Sequence, residues 1–270
     1  MSRIKDTFIK LKERNEGALI PYIPVGYPDI ECSENLIHTI CESGADILEL
    51  GVPYADPLAD GPTIQEASAQ ALTNGANLYT CINIVRKLRH EGLETPIVLM
   101  GYCNSFLAYG LNQLAVDASE AGIDGFIIPD LPSTMSNSWV EVFRPFDLDL
   151  IFFLAPTTTE ERALSVVQKG SGFLYCISVN GVTGERKNIP SELPSFLKHA
   201  SNITDLPLCV GFGISTPGHV SEVNEYADGV IVGSALINVI KNSKPEQIEE
   251  EVMQYIQSLK AATKKPIRNL

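Results

Sequence analysis

Eight short, almost wholly apolar runs, each followed by a segment of helical character, leave this chain few folds to choose from. The predicted strands are Leu19–Ile23, Asp46–Leu50, Ile97–Met100, Gly125–Ile128, Leu150–Leu154, Phe173–Ser178, Leu208–Val210 and Gly229–Val232. Near-continuous apolar strands belong to parallel sheets covered by helices on both faces. Helical patterns fall between them, among others at Glu34–Glu42, Leu111–Ala121, Glu160–Gln168 and Thr216–Tyr226. In a chain of 270 residues, this alternation predicts an α/β protein, a (β/α)8 TIM barrel, a fold that typically takes about 250 residues. An open doubly wound sheet is the competing arrangement, and it usually carries a glycine-rich phosphate loop after its first strand. Here that turn is Pro24-Val25-Gly26-Tyr27-Pro28, with no G-x-G-x-x-G. An extra N-terminal helix, Ile4–Arg14, is expected to cover the bottom of the barrel. A short extra helix, Ala235–Ile240, follows the eighth strand, and Glu246–Lys260 is the last helix. With no linker or low-complexity tract, residues 1–270 read as a single domain.

Three strands are announced alike, by Gly44-Ala45-Asp46, Gly122-Ile123-Asp124 and Tyr226-Ala227-Asp228. Each ends a helix and turns tightly into the sheet, and the glycines suit the position after a helix C-terminus.

The formal net charge of −13 argues against a nucleic-acid or anionic-membrane surface, which needs a basic patch. No apolar run approaches the roughly 20 residues that span a bilayer. The first residues lack the apolar core of a signal peptide. The six cysteines are scattered, with no C-x-x-C pair, so a reducing, cytoplasmic compartment is expected. His38, His90, His199 and His219 are isolated, and no metal site is visible.

The most informative stretch runs from Leu48 to Pro62. Along Asp46-Ile47-Leu48-Glu49-Leu50, Ile47 and Glu49 share one face and Leu48 and Leu50 the other. A Glu among such neighbours loses solvation, which raises its pKa and suits it to proton transfer near neutral pH. A buried ion pair is the competing reading. The loop that follows, with Asp56 and Asp60 among its prolines, favours chemistry. Active sites of such barrels lie at the C-terminal ends of the strands. Glu49, Asp60, Asp130 and Tyr175 all fall there, although Asp130, before Leu131-Pro132, also suits a turn cap.

Glycines cluster at the ends of the last three strands, in Gly181-Val182-Thr183-Gly184, Gly211-Phe212-Gly213-Ile214-Ser215 and Gly233-Ser234-Ala235. Glycine lets backbone N–H groups approach an anion, and a helix N-terminus adds a favourable dipole. Loops after strands seven and eight, with a short extra helix, form the recurrent phosphate site of this fold. An acidic chain can then hold an anionic ligand on backbone dipoles.

In order along nearly the whole chain, these segments resemble the tryptophan synthase alpha-subunit family. The resemblance is carried by Pro21-Tyr22-Ile23-Pro24-Val25-Gly26-Tyr27-Pro28, the stretch from Glu49 to Pro62 with Ile64-Gln65, and Leu99-Met100 with Tyr102 and Asn104. It continues through Asp130-Leu131-Pro132, Tyr175 and the three glycine segments. It implies retro-aldol cleavage of indole-3-glycerol phosphate to indole and glyceraldehyde 3-phosphate, in L-tryptophan biosynthesis, with no cofactor in this chain. By the same resemblance Glu49 is the acid/base and Asp60 accepts the indole N–H. Tyr175 positions the glycerol hydroxyls, and Tyr22, Met100, Ile127 and Phe212 form the indole pocket. Gly184, Gly213, Gly233 and Ser234 hold phosphate, and Thr183 closes toward Asp60. A pyridoxal-phosphate beta subunit is the implied partner, in an alpha2-beta2 heterotetramer. Pro53, Asp56, Pro57, Asn104, Phe106, Leu107 and Pro132 are the matching contact positions.

The chain departs from the family's usual pattern at Gly101, Ser105, Pro129 and Val179-Asn180, none of them in the acid pair. A stand-alone lyase releasing free indole, and a non-catalytic activating subunit, are the alternatives. Retention of Glu49 and Asp60 disfavours the second.

Overall fold

The computed structural model describes residues 2–177, 189–211 and 213–265. Eight parallel strands close into a barrel in sequential order: β1 (Ala18–Pro24), β2 (Leu48–Gly51), β3 (Ile97–Met100), β4 (Gly125–Ile127), β5 (Asp149–Leu154), β6 (Leu174–Cys176), β7 (Leu208–Val210) and β8 (Gly229–Val232). The ring is sealed by β1 on β8, with Leu19 opposite Val230. Helices surround it, and the TIM-barrel expectation is met.

The side-chain period of two sorts each strand between two apolar regions. Leu48 and Leu50 pack outward with the helices. Ile20, Ile47, Val98, Ile127, Ile151, Cys209 and Ile231 point inward and fill the barrel together with Phe173. The helix Arg3–Glu13 sends Ile4, Phe8 and Leu11 into that same inner cluster. Their i, i+4, i+7 spacing makes one apolar stripe, and Phe8 lies 6.1 Å from the ring of Phe173. The barrel is thus closed at the bottom and filled in the middle, and its inward-facing residues are left open only at the top.

The three similar helix-to-strand turns share a hydrogen-bond device. Asp46 Oδ2 accepts from the Leu19 N–H, Asp124 Oδ2 from Ile97 and Asp228 Oδ2 from Leu208, at 2.8, 2.8 and 2.9 Å. Each Asp N–H in turn donates to the carbonyl of that same residue. Because Asp46 is engaged in this clasp, β2 begins at Leu48, two residues later than predicted. Lys260 holds Asp46, and Arg89 and Arg3 hold Asp124. These bottom-face carboxylates are structural.

The helix predicted at Thr216–Tyr226 spans Pro217–Asn224, because Thr216 is its N-cap, accepting from the His219 N–H. The extra helix after β8 is present as Ser234–Asn242. Among the described residues, no helix is long and apolar enough to cross a membrane.

Candidate active site

A cavity of about 210 Å³ opens at the C-terminal ends of the strands. Its floor is the topmost inward layer of side chains. Tyr22 of β1 stands in register with Glu49 of β2, and Phe153 of β5 with Tyr175 of β6. Met100, Pro129, Ile64, Ile177 and Ile214 complete an apolar wall, while Gly211, Gly213, Gly233 and Ser234 line the remainder.

Glu49 is 2% exposed. Its Oε2 has no hydrogen-bond partner, and among the described residues no cation pairs with it. Among the described residues the ion-pair reading finds no partner. Burial, and secondarily the charge of Asp60, push its pKa up to about 8. Desolvation opposes the charged form, so Glu49 is a neutral acid at pH 7.

Asp60 is 4% exposed and reaches the cavity from the loop after β2. Its own N–H donates to the Pro57 carbonyl at 3.0 Å, and its carbonyl accepts from Gln65 Nε2 at 2.8 Å. Its Oδ2 accepts from the Tyr102 hydroxyl at 3.0 Å. Burial raises its pKa to about 6, with the Tyr102 hydrogen bond acting in the opposite direction. At pH 7 the pair is consequently one acid and one anion.

Two glycines are required by close approach. A Cβ on Gly51 would collide with the Tyr22 hydroxyl, and one on Gly211 with the Tyr175 ring. Tyr175 is held between Gly211 and the Phe153 ring, 4.7 Å away. After β8, beside Tyr22, Gly233 is the N-cap of the nine-residue helix Ser234–Asn242. Unpaired N–H groups and the dipole of such a terminus suit an anion. No Lys or Arg lines this cavity among the described residues.

Of the residues expected here, Glu49, Asp60, Tyr22, Met100, Tyr175, Gly213, Gly233 and Ser234 converge on one cavity. Thr183, Gly184 and Phe212 lie outside the described residues. Ile127 requires correction. It sits in the filled layer beneath, in register with Ile151, and Pro129, two residues on, lines the cavity instead. Sequence reasoning missed Tyr102, Phe153, Ile64, Ile177 and Ile214. Phe153 and Ile177 could have been found, since they continue the inward alternation of β5 and β6 to the barrel top.

The surface positions also divide. Asp56, Asn104, Leu107 and Pro132 are exposed and Pro57 is half-buried, all on the connections that follow β2, β3 and β4, with Asn104 and Leu107 in the helix Cys103–Tyr109. Pro53 and Phe106 are corrected. Pro53 is buried, and Phe106 is fully buried with its ring edge-on to Phe126 and Trp139. Two apolar residues not anticipated at this mouth, Leu58 and Met135, are 77% and 72% exposed. Asp130 lies outside the cavity lining and accepts from the Cys103 N–H at 2.9 Å, capping the helix Cys103–Tyr109. Gly101 is matched to its neighbour, since a Cβ there would lie 2.8 Å from Phe106 Cζ.

Known proteins agree with this architecture. The family model for the tryptophan synthase alpha chain matches residues 8–265. The chain is 49% identical to the tryptophan synthase alpha chain of Roseiflexus castenholzii over 260 residues, covering 96% of this chain and all of the relative. It is 43% identical to that of Chloroflexus aggregans, covering 98% and 99% of the two chains. Among solved structures, the alpha subunit from Legionella pneumophila superposes with a TM-score of 0.91 at 38% identity, over 97% and 98% of the chains. Family match, full-length coverage and shared barrel together place this chain in the tryptophan synthase alpha-chain family.

Proposed function

We infer that the cavity at the barrel mouth is where this member of the tryptophan synthase alpha-chain family, a lyase of tryptophan biosynthesis, cleaves indole-3-glycerol phosphate to indole and glyceraldehyde 3-phosphate. The observation that carries the site assignment is a pair of buried carboxyl groups in one cavity with unequal surroundings, Glu49 with no hydrogen-bond partner on Oε2 and its pKa pushed up to about 8, Asp60 held by the Tyr102 hydroxyl and raised to about 6.

Indole is a poor carbanion leaving group until C3 is protonated. Protonated Glu49 gives its proton to C3, and the positive charge that develops reaches the ring N–H. The Asp60 carboxylate accepts that N–H and stabilises the cation. Glu49, now a carboxylate, takes the proton of the glycerol hydroxyl next to C3. The bond between C3 and the carbinol carbon breaks, its electron pair returns to the ring, and the carbinol becomes the aldehyde of glyceraldehyde 3-phosphate. Glu49 ends with the proton it began with. Opposed environments splitting two carboxylates into acid and anion is a general route to such chemistry.

The apolar wall of Met100, Ile64, Ile177 and Phe153 suits the indole ring, and Tyr175 faces the glycerol hydroxyls. Gly213, Gly233 and Ser234 supply backbone N–H groups to the phosphate, together with Gly184. By the family resemblance Phe212 belongs to the indole pocket and Thr183 to a loop that closes toward Asp60. A beta subunit is the partner implied by the family. We assign it pyridoxal phosphate, an alpha2-beta2 assembly and a shared cytoplasmic location. Its contact face is the mouth sector around Asp56, Leu58, Asn104, Leu107 and Met135, three of them exposed apolar residues on the connections after successive strands.

The test is indole release by wild type and Glu49→Gln, with and without a beta subunit. Slow turnover that beta raises, and a loss of about 10²–10⁴-fold or more in Glu49→Gln, is the expected result. Fast wild-type turnover indifferent to beta would instead indicate a stand-alone lyase. No indole under any condition would overturn the assignment.

A further inference from the structure

Tyr102 was not assigned a role above, yet it makes the one side-chain hydrogen bond to the Asp60 carboxylate recorded among the described residues. Its geometry fixes the direction of that bond. The Ala59 N–H donates to the Tyr102 oxygen at 3.0 Å, so the phenol is already an acceptor from backbone. A phenol has one proton, and the acceptor in reach is Asp60 Oδ2 at 3.0 Å.

Every degree of freedom of this donor is held. The Tyr102 ring is 4% exposed and stacks on Tyr54 with centroids 5.1 Å apart and planes 22° from parallel. Asn104 Nδ2 donates to the Tyr54 hydroxyl, and the Ser68 hydroxyl accepts from the Tyr54 N–H. Tyr102 is also the N-cap of the helix Cys103–Tyr109, whose first N–H is bound by Asp130. On the other side the Asp60 backbone is pinned by Pro57 and Gln65. The carboxyl group is therefore presented to a donor that arrives already oriented. Glu49, the other carboxyl in the cavity, has no such donor on Oε2.

We propose that Tyr102 is the positioning residue that makes the two carboxylates unequal: by donating its only proton to Asp60 it holds that group as an oriented anion, while Glu49 is left as the acid. This rests on the reading of the pair given above and adds to it the residue that assigns the two roles. The groups facing Asp60 are Glu49 from β2, Tyr22 from β1, Tyr175 from β6 and Tyr102 from the segment after β3, with Asp130 behind Tyr102. Burial holds the three phenols neutral well past pH 10. Glu49 and Asp60 are then the groups of this cluster that change charge near neutrality. A hydrogen bond to the charged form favours that form, and losing it moves Asp60 toward the neutral state. The resulting neutral carboxyl could no longer balance a cationic ring.

Tyr102→Phe keeps the ring and its stack and deletes only the donor. The Asp60 carboxyl is followed by ¹³C NMR titration in the full-length protein, beside the pH profile of indole release. The expected result is an Asp60 midpoint raised by about one pH unit. The acid limb of kcat/KM should move with it, and kcat should fall more than KM changes. Replacing Tyr102 by 3-fluorotyrosine, a stronger donor, is expected to move the midpoint the other way; it retains the hydroxyl and serves if the Phe variant does not fold. An Asp60 midpoint unmoved in either folded variant would overturn the proposal. Absence of lyase activity in wild type would overturn the functional reading instead, and the carboxyl titration would still decide what Tyr102 does.

Discussion

Glu49 loses its water on folding and gains no cation in return among the described residues, which couples the stability of the barrel to pH. Its folded pKa, about 8, lies above the ordinary value of 4.5. A group raised in this way contributes stability that is complete below the unfolded pKa. The contribution declines as the unfolded chain ionises and is gone once pH has risen through about 8. The loss of stability between pH 5 and pH 8 is therefore expected to be smaller in Glu49→Gln than in wild type, by on the order of 3 kcal/mol. Urea unfolding of both proteins at the two pH values measures it, and equal losses would contradict an uncompensated Glu49. The same pair shapes catalysis. Activity requires Asp60 ionised and Glu49 protonated, so kcat/KM is expected to form a bell with limbs near 6 and 8. These limbs belong to the coupled pair and not to either residue alone. The chemistry of Glu49 was legible because alternation along one strand reveals the face it shares with Ile47. The bond from Tyr102 to Asp60 was not legible, because it joins positions 42 apart in sequence that only barrel closure brings together.

At the scale of elements, the bottom of the barrel is built from carboxylates that resemble those at the top in type and differ in what surrounds them. Asp124 accepts from the Ile97 N–H and pairs with Arg89, which is 11% exposed. Its second partner, Arg3, is 43% exposed, and solvent screening leaves that contact a small share. Asp124→Ala breaks a buried pair and orphans a strand N–H, which costs about 3–5 kcal/mol. Phe8→Ala removes the largest side chain of the plugging helix from the inner cluster and costs about 3–5 kcal/mol as well. Both losses are expected in denaturant midpoints, with KM for indole-3-glycerol phosphate unchanged because neither residue lines the cavity. A raised KM would mean that the two ends of the barrel are coupled. The sequence exposes the three Gly/Tyr-x-Asp turns as similar. It does not tell a clasping Asp from a ladder residue, which is why β2 starts two residues late. That distinction depends on which strand lies alongside.

Across the whole molecule, the filled bottom and open top give the barrel one working end, and the partner face proposed above lies at that end beside the cavity. Leu58 in the loop after β2, Leu107 in the helix after β3 and Met135 in the single 3-10 turn after β4 expose apolar side chains on the connections that follow three successive strands. Exposed apolar residues grouped in this way mark an interaction surface. Within the helix Cys103–Tyr109 the sector is sharply bounded, since Phe106 is buried against Phe126 and Trp139 while Leu107 faces solvent. Successive helical residues point about 100° apart, so two adjacent apolar letters have opposite fates that sequence alone does not separate. The two positions consequently predict different defects. Phe106→Ala leaves a cavity in the aromatic cluster and is expected to cost about 3–5 kcal/mol of stability. Leu107→Glu places a charge on the exposed sector and is expected to leave the fold and the turnover of the isolated chain unchanged while weakening association with a beta subunit at least tenfold. Titrating each variant with beta, and reading both complex formation and the rise in indole turnover, separates the two. Undiminished stimulation of Leu107→Glu would move the contact face to another sector of the mouth and leave the exposed residues of the β2, β3 and β4 loops without that role.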